Sequence, residues 1–239
     1  MAGISRKDLK KDEIRDSFVH GAEAVASHQG TTAIILGVVV VVALAIFGWR
    51  YYSQHQTAQA SSAMGEALRI FDARIRAAGE PTQPGEVTYV DEKNKYEDAA
   101  KKFTSIADAY PRTKPGQQAR YFDALCQIHL GKDAQADAEL TRLGDGGDAD
   151  TASLAKFQLA ALDVKSGKSA AAIPIYQALI ANPTVLVPKP LVMLALADVY
   201  SKTNPSESVK LLNQIKSEFP NSPAADEATK RLESPAGQS

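Results

Sequence analysis

The chain has 239 residues, 27 Lys and Arg against 28 Asp and Glu, a net charge of −1 and 44% hydrophobic residues. So balanced a charge provides no field for nucleic acid or for a polyanionic substrate. The single cysteine, Cys126, excludes an internal disulfide, so any exported part must hold together by packing alone.

Residues 1–30 are polar and mixed in charge, with Arg6, Lys7, Lys10, Lys11 and Arg15. Ile14, Phe18, Ala22 and Val25 fall at helical spacing, so a short amphipathic helix competes with a solvated tail. Then comes AIILGVVVVVALAIFGW, Ala33 to Trp49, 17 apolar residues without a break. As a helix, residues 31–52 extend about 33 Å, enough to cross the hydrocarbon core. Trp49, Tyr51 and Tyr52 are placed for the headgroup level, with Arg50 snorkelling between them. A buried core helix fits poorly, since soluble helices of this length carry a polar face. The cations before the span, against none between Arg50 and Arg69, predict an N-in orientation with the rest translocated. Ala43-Leu44-Ala45 raises a cleaved signal peptide as an alternative. The apolar run continues past that cut through Ile46, Phe47 and Trp49, so an uncleaved anchor is expected. Ala33 and Gly37 form a small-xxx-small pair that suits close approach of another membrane helix.

From Ser53 the sequence predicts a helix leaving the bilayer and running to about Ala78. Met64, Ala67, Leu68, Phe71 and Ile75 form its apolar face. Gly79, Pro81, Pro84 and Gly85 mark a loop, and helix is expected again near Asp91. Beyond it the chain repeats. Ala99, Ala136, Ala172 and Ser208 are spaced by 37, 36 and 36, and Phe103, Leu140, Tyr176 and Leu212 follow four residues later. Ile106, Leu143, Leu179 and Ile215 follow after seven, while Ala124, Ala160 and Leu196 keep the period upstream, as do Gly131 and Gly167. A small residue with large ones at +4 and +7, at this period, describes antiparallel helix pairs stacked into a solenoid. Pro111, Pro183 and Pro220 close three units. The last stretch, SPAADEATKRL, suits a capping helix with Ser222 as N-cap and Pro223 in first position. The expected class is all-α: one N-terminal transmembrane helix (31–52), a repeat domain (53–234) and a disordered tail (235–239).

No chemistry-bearing constellation stands out. His20, His28, His55 and His129 are scattered without metal-ligand spacing. Gly167-Lys168-Ser169 ends like a phosphate loop, but Leu162 stands where its first glycine belongs, so the triplet is read as a turn. Asp145, Asp148 and Asp150 lack the alternate ligands of a calcium loop. They are read as a solvated loop ending in an N-cap at Asp150 or Thr151. Neither the 79–90 loop nor the Gly144 region pairs a nucleophile with a base, and no enzyme activity, cofactor or metal is expected.

Tyr96-x-x-Ala99-x-x-x-Phe103-x-x-Ile106 with Pro111, and Leu159-Ala160 with Gly167, Ala172 and Tyr176, resemble the tetratricopeptide repeat, lengthened by about two residues. So do Leu196-Ala197 with Tyr200, while Arg120 and Lys156 replace the bulky residue that opens the motif. The resemblance implies a partner groove lined by the first helices, with Tyr121, Leu125, His129, Phe157, Lys165, Leu194, Asp198 and Lys202 as candidates. Tyr121, Phe157 and Leu194 stand where some members carry a carboxylate clamp, so an extended or partly unfolded chain is the expected ligand. The junction Gly48-Trp49-Arg50-Tyr51-Tyr52-x-x-His55-Gln56, the anchor and the degenerate repeats are together similar to the YfgM-type ancillary subunit family of the Sec translocon. That resemblance implies a bitopic protein of the bacterial inner membrane with a cytoplasmic N-terminus and a periplasmic C-terminal domain. It also implies, as partners, the Sec translocon, a membrane-anchored periplasmic chaperone of the prolyl-isomerase type and unfolded secretory chains. The C-terminal repeats are also like those of periplasmic organisers of envelope assembly and cell division, which leaves that function as the alternative.

Overall fold

The computed structural model describes residues 29–77, 79–81 and 83–233. The N-terminal tail, with its Ile14, Phe18, Ala22 and Val25 stripe, and the 235–239 tail lie outside the described residues. The chain divides into two compact units, Met1–His55 and Gln56–Ser239, each taken by itself below.

The longest element, α1 (Gln29–Phe71), is a helix of 43 residues. In the first unit its described side chains are exposed from Leu36 to His55, including the whole valine run and Trp49, Tyr51 and Tyr52. It is the one described helix long and apolar enough to cross a membrane, judged by length and composition. Such a surface would aggregate in water and is suited to lipid.

In the second unit, Ala60, Met64 and Ala67 turn the end of α1 onto α2 (Glu92–Ala109). Seven more helix-to-helix contacts follow in chain order. They use α3 (Lys114–His129), α4 (Asp133–Gly146), α5 (Ala149–Lys165), α6 (Ser169–Ala181), α7 (Lys189–Thr203), α8 (Pro205–Glu218) and α9 (Pro223–Glu233). Each helix packs on its neighbours in sequence, as a solenoid requires. The second helices α2, α4, α6 and α8 place Ala99, Ala136, Ala172 and Ser208 at the contact, all buried. Phe103, Leu140, Tyr176 and Leu212 fill the space beside them, with Ile106, Leu143, Leu179 and Ile215 one turn further on. The core is accordingly four clusters along the array. Ser208 fits at an alanine position because its buried hydroxyl donates to the Ala197 carbonyl, 2.8 Å away, which satisfies it.

The helix turns follow from local chemistry. After α3 and α5, Gly131 (φ 72°) and Gly167 (φ 77°) take the left-handed conformation. Lys132 N–H then reaches the Gln127 carbonyl and Lys168 N–H the Asp163 carbonyl, each at 2.8 Å, the closing bond of a Schellman end. Gly167-Lys168-Ser169 is thus a helix turn. Ser222 Oγ accepts from Ala225 N–H at 3.2 Å and caps α9.

Four expectations are corrected. The helix from Ser53 does not reach Ala78; it ends at Phe71, and Ile75 lies in a strand. Arg74–Ile75 (β1) pairs in parallel with Thr88–Tyr89 (β2), and Arg76 fastens the loop by donating to Thr88 Oγ1 (3.1 Å) and the Glu80 carbonyl (2.9 Å). These contacts override the apolar spacing that places Ile75 on a helix. The residue equivalent to Ala124 and Ala160 is Ala197, not Leu196. Ala197 packs with Leu212 and Ile215, whereas Leu196 joins the preceding cluster. The shift arises because the α7–α8 turn is the single residue Asn204, where α3–α4 and α5–α6 use residues 130–132 and 166–168. The cap of α5 is Asp148, which accepts from Thr151 N–H, and not Asp150 or Thr151. Finally, Gly144 and Asp145 belong to α4 rather than to a loop. Asp150 and Asp148 instead share Lys114, at 2.7 Å and 3.8 Å, while Asp145 stays on α4.

Candidate partner-binding face

The candidate residues recur at steps of four or eight along the first helices of the pairs, so each helix presents them as one stripe. Tyr121, Leu125 and His129 lie on α3, Phe157 and Lys165 on α5, and Leu194, Asp198 and Lys202 on α7. Local sequence builds those stripes. Thr113 caps α3 by accepting from Gly116 N–H, and Asp148 caps α5.

The structure sorts seven of the eight into three kinds, with His129 apart. Tyr121, Leu125, Phe157 and Leu194 are half-buried. Tyr121 meets Phe122 edge-on at 5.6 Å, and Phe157 meets Tyr176 edge-on at 5.8 Å. Burial pushes the Tyr121 phenol up from its usual pKa, so it remains a neutral, amphipathic ring. Lys165 and Asp198 are exposed but paired: Lys165 with Asp133 at 3.0 Å, and Asp198 with Arg231. Lys202 is exposed.

His129 is a case of its own. Its ring stacks on Tyr96 at 4.0 Å with 7° between planes and meets Phe71 edge-on at 6.3 Å. Burial pulls the imidazole below its usual range, Glu92 opposes that, and Lys95 and Lys165 add to it. His129 therefore sits in the aromatic packing that joins α1, α2 and α3, with one side to solvent.

Three features escape a reading by spacing. Arg231 of α9 reaches back to Asp198 and to the Leu194 carbonyl (3.4 Å), so the capping helix occupies the last stripe. Its only signal in sequence is a cation four residues after Glu227, with which it also pairs at 2.8 Å. Between α2 and the α3–α4 turn lies a cavity of about 590 Å³ lined by Glu97, Lys101, Thr104, Asp108, Gln127 and Lys132. Gln127 donates to Asp123 at 3.1 Å, its own Oε1 is buried with no partner among the described residues, and burial pushes the Asp123 carboxyl up. Third, residues 169–188 contain no Asp, Glu, Lys or Arg, and they expose Val185 (91%) and Leu186 beside Leu191.

Among the described residues no group of three or more His, Cys, Asp or Glu is placed to hold a metal. Cys126 is fully buried and its thiol is pushed up to about 12, mainly by burial, which leaves it a packing residue.

The comparisons agree with this architecture. A family described as tetratricopeptide repeat-like domain matches residues 28–179, more than half of the chain, and a tetratricopeptide repeat matches residues 191–222. The first match takes in α1 to α5 and most of α6, and the second most of α7 and all of α8. Both are repeat families and neither is an enzyme family. Comparison with curated proteins and with solved structures returned no match.

Proposed function

We propose a function on the premise that this chain belongs to the tetratricopeptide repeat-like domain family: it is a non-catalytic, membrane-anchored adaptor for extended polypeptide chains. The repeats make protein partners the expected ligands, and one observation carries the choice among them. The stripe along α3 and α5 offers half-buried Tyr121, Leu125 and Phe157, with no unpaired cation among them to hold an acidic tail. Rings and aliphatic groups that are half-covered already give up little water or rotamer freedom when a chain settles on them. Several such weak contacts permit fast release, which an adaptor needs.

The anchor gives the place. Residues 31–52 are proposed as an uncleaved span of the bacterial inner membrane, with 1–30 cytoplasmic and 53–234 periplasmic. The junction from Gly48 to Gln56, similar to that of ancillary Sec-translocon subunits, favours a site where translocated chains emerge and are passed to periplasmic chaperones. The regularity of the C-terminal repeats favours the second reading, an organiser of envelope assembly or division complexes.

The adaptor reading requires the repeats to be exported, and a C-terminal alkaline phosphatase fusion tests that. The fusion should be active, and the mature chain should retain its first 30 residues. An inactive fusion, or a mature chain beginning after Ala45, would remove the basis for the reading.

A further inference from the structure

The connection between α1 and α2 is out of proportion to the others. Residues 72–91 join those two helices, where no other connection in the array exceeds the seven residues 182–188. Stacking needs no such insertion, and insertions in repeat arrays gather on binding faces. This one is built rather than loose. The Lys95 ammonium donates to the Ala73 carbonyl (3.4 Å), the Tyr89 hydroxyl to Asp98 (3.3 Å) and Arg69 to the Gly85 carbonyl (3.3 Å). Within it, Arg74 pairs with Glu80 at 2.8 Å and Glu86 at 3.6 Å. The effort goes into holding a two-stranded parallel ribbon, β1 with β2, in fixed register.

A two-stranded ribbon leaves one edge of each strand without a strand. The two edges differ. β1 is flanked by charge, Arg74 and Arg76, the usual guard against added strands. β2 lies in Val87-Thr88-Tyr89-Val90, four residues of high strand propensity without a charge, proline or glycine, and Val90 is 55% exposed. Direction follows from one hydrogen bond. Arg76 N–H donates to the Tyr89 carbonyl at 2.9 Å, so Tyr89 faces β1. Backbone groups alternate along a strand, so the N–H and C=O of Thr88 and Val90 face away from β1.

We infer that the free edge of β2 is a docking site for an extended peptide, which adds to the ribbon as a third strand through the backbone of Thr88 and Val90. The occupant is set by the chemistry of the edge: alternating main-chain donors and acceptors are matched by another extended backbone, and the uncharged Val87 to Val90 stretch, bounded by Glu86 and Asp91, asks for one without acidic residues. The inference builds on the adaptor reading by giving an emerging chain a second place to bind, independent of its side-chain sequence.

The test uses the full chain in lipid nanodiscs and a fluorescein-labelled peptide of four Thr-Val repeats, read by anisotropy. Methylating the peptide's alternate backbone nitrogens should weaken binding at least tenfold, because the ladder loses its donors. Val90→Pro should do the same in a protein that already carries Tyr121→Ala with Phe157→Ala, a background that removes the α3–α5 face and in which the parent peptide should still bind. A methylated peptide that binds as well as the parent overturns the inference whatever the variant does to the loop. So does a parent peptide that fails to bind, or one lost only with the Tyr121 and Phe157 changes; the last leaves the adaptor reading standing. Binding that follows the expected pattern in a protein whose phosphatase fusion is inactive would sink the adaptor reading and keep the docking site.

Discussion

Phe103→Ala should lower the stability of the repeat domain by about 3–5 kcal/mol, the range for emptying a buried aromatic site. Phe103 is fully buried at the contact of the first pair with α3. Its ring stacks on Phe122 at 5.3 Å and meets Phe71 edge-on at 6.1 Å, while Phe71 also touches Phe122 (5.4 Å) and Tyr96 (5.7 Å). Alanine would leave a cavity that the three other rings cannot close without abandoning one another. Because each pair leans only on its neighbours, the loss should be local. Hydrogen exchange should accelerate across residues 56–71 and α2 while α7 to α9 stay protected. Uniform acceleration would contradict the nearest-neighbour account.

Gly116→Ala is expected to cost about 3 kcal/mol or more, the upper end for forcing atoms into a packed site. A β-carbon on Gly116 would sit 1.9 Å from the Tyr110 carbonyl oxygen and 2.7 Å from its carbon. Both are backbone atoms at the end of α2, held by Tyr110 N–H to the Ile106 carbonyl and by Thr113 N–H to the Tyr110 carbonyl. Either α3 must move off α2 or the cap at Thr113 must open. Gly144→Ala is the control. There the nearest atom is Lys156 Cγ at 3.1 Å, part of a flexible side chain that can swing aside. Its cost should stay below about 1 kcal/mol, because Gly144, though buried, lies within α4, where alanine is the better helix former by about that amount. Comparable melting temperatures for the two variants would show that the α2–α3 contact is softer than its geometry implies.

The two glycines also show what sequence conveys and what it hides. The array was legible because each contact needs a small residue with large ones four and seven further on, and that demand recurs with the period of the stack. The place of Ala197 was not, since α7 runs one residue further past that position than α3 and α5 do past Ala124 and Ala160, and Asn204 alone makes its turn. Ile75 has the spacing of a helix face, yet the Arg76 bonds draw that segment into a ribbon. Among the site residues, the half-buried state of Tyr121, Phe157 and Leu194 follows from their places on the first helices. The pairing of Asp198 with Arg231, 33 residues away, and the stacking of His129 on Tyr96, also 33 away, depend on how successive helices meet. Local spacing does not encode such pairs.

The α3–α5 face is proposed to hold extended chains as they leave the translocon. Crosslinking in native inner membranes, with a secretory chain arrested during export, measures it directly. The wild-type protein should form adducts with the arrested chain and with translocon subunits. Tyr121→Ala with Phe157→Ala should reduce the chain adduct severalfold while the helical circular dichroism and the translocon adduct persist. Adducts to envelope-assembly or division proteins in place of the translocon, or a chain adduct indifferent to both substitutions, would contradict the account.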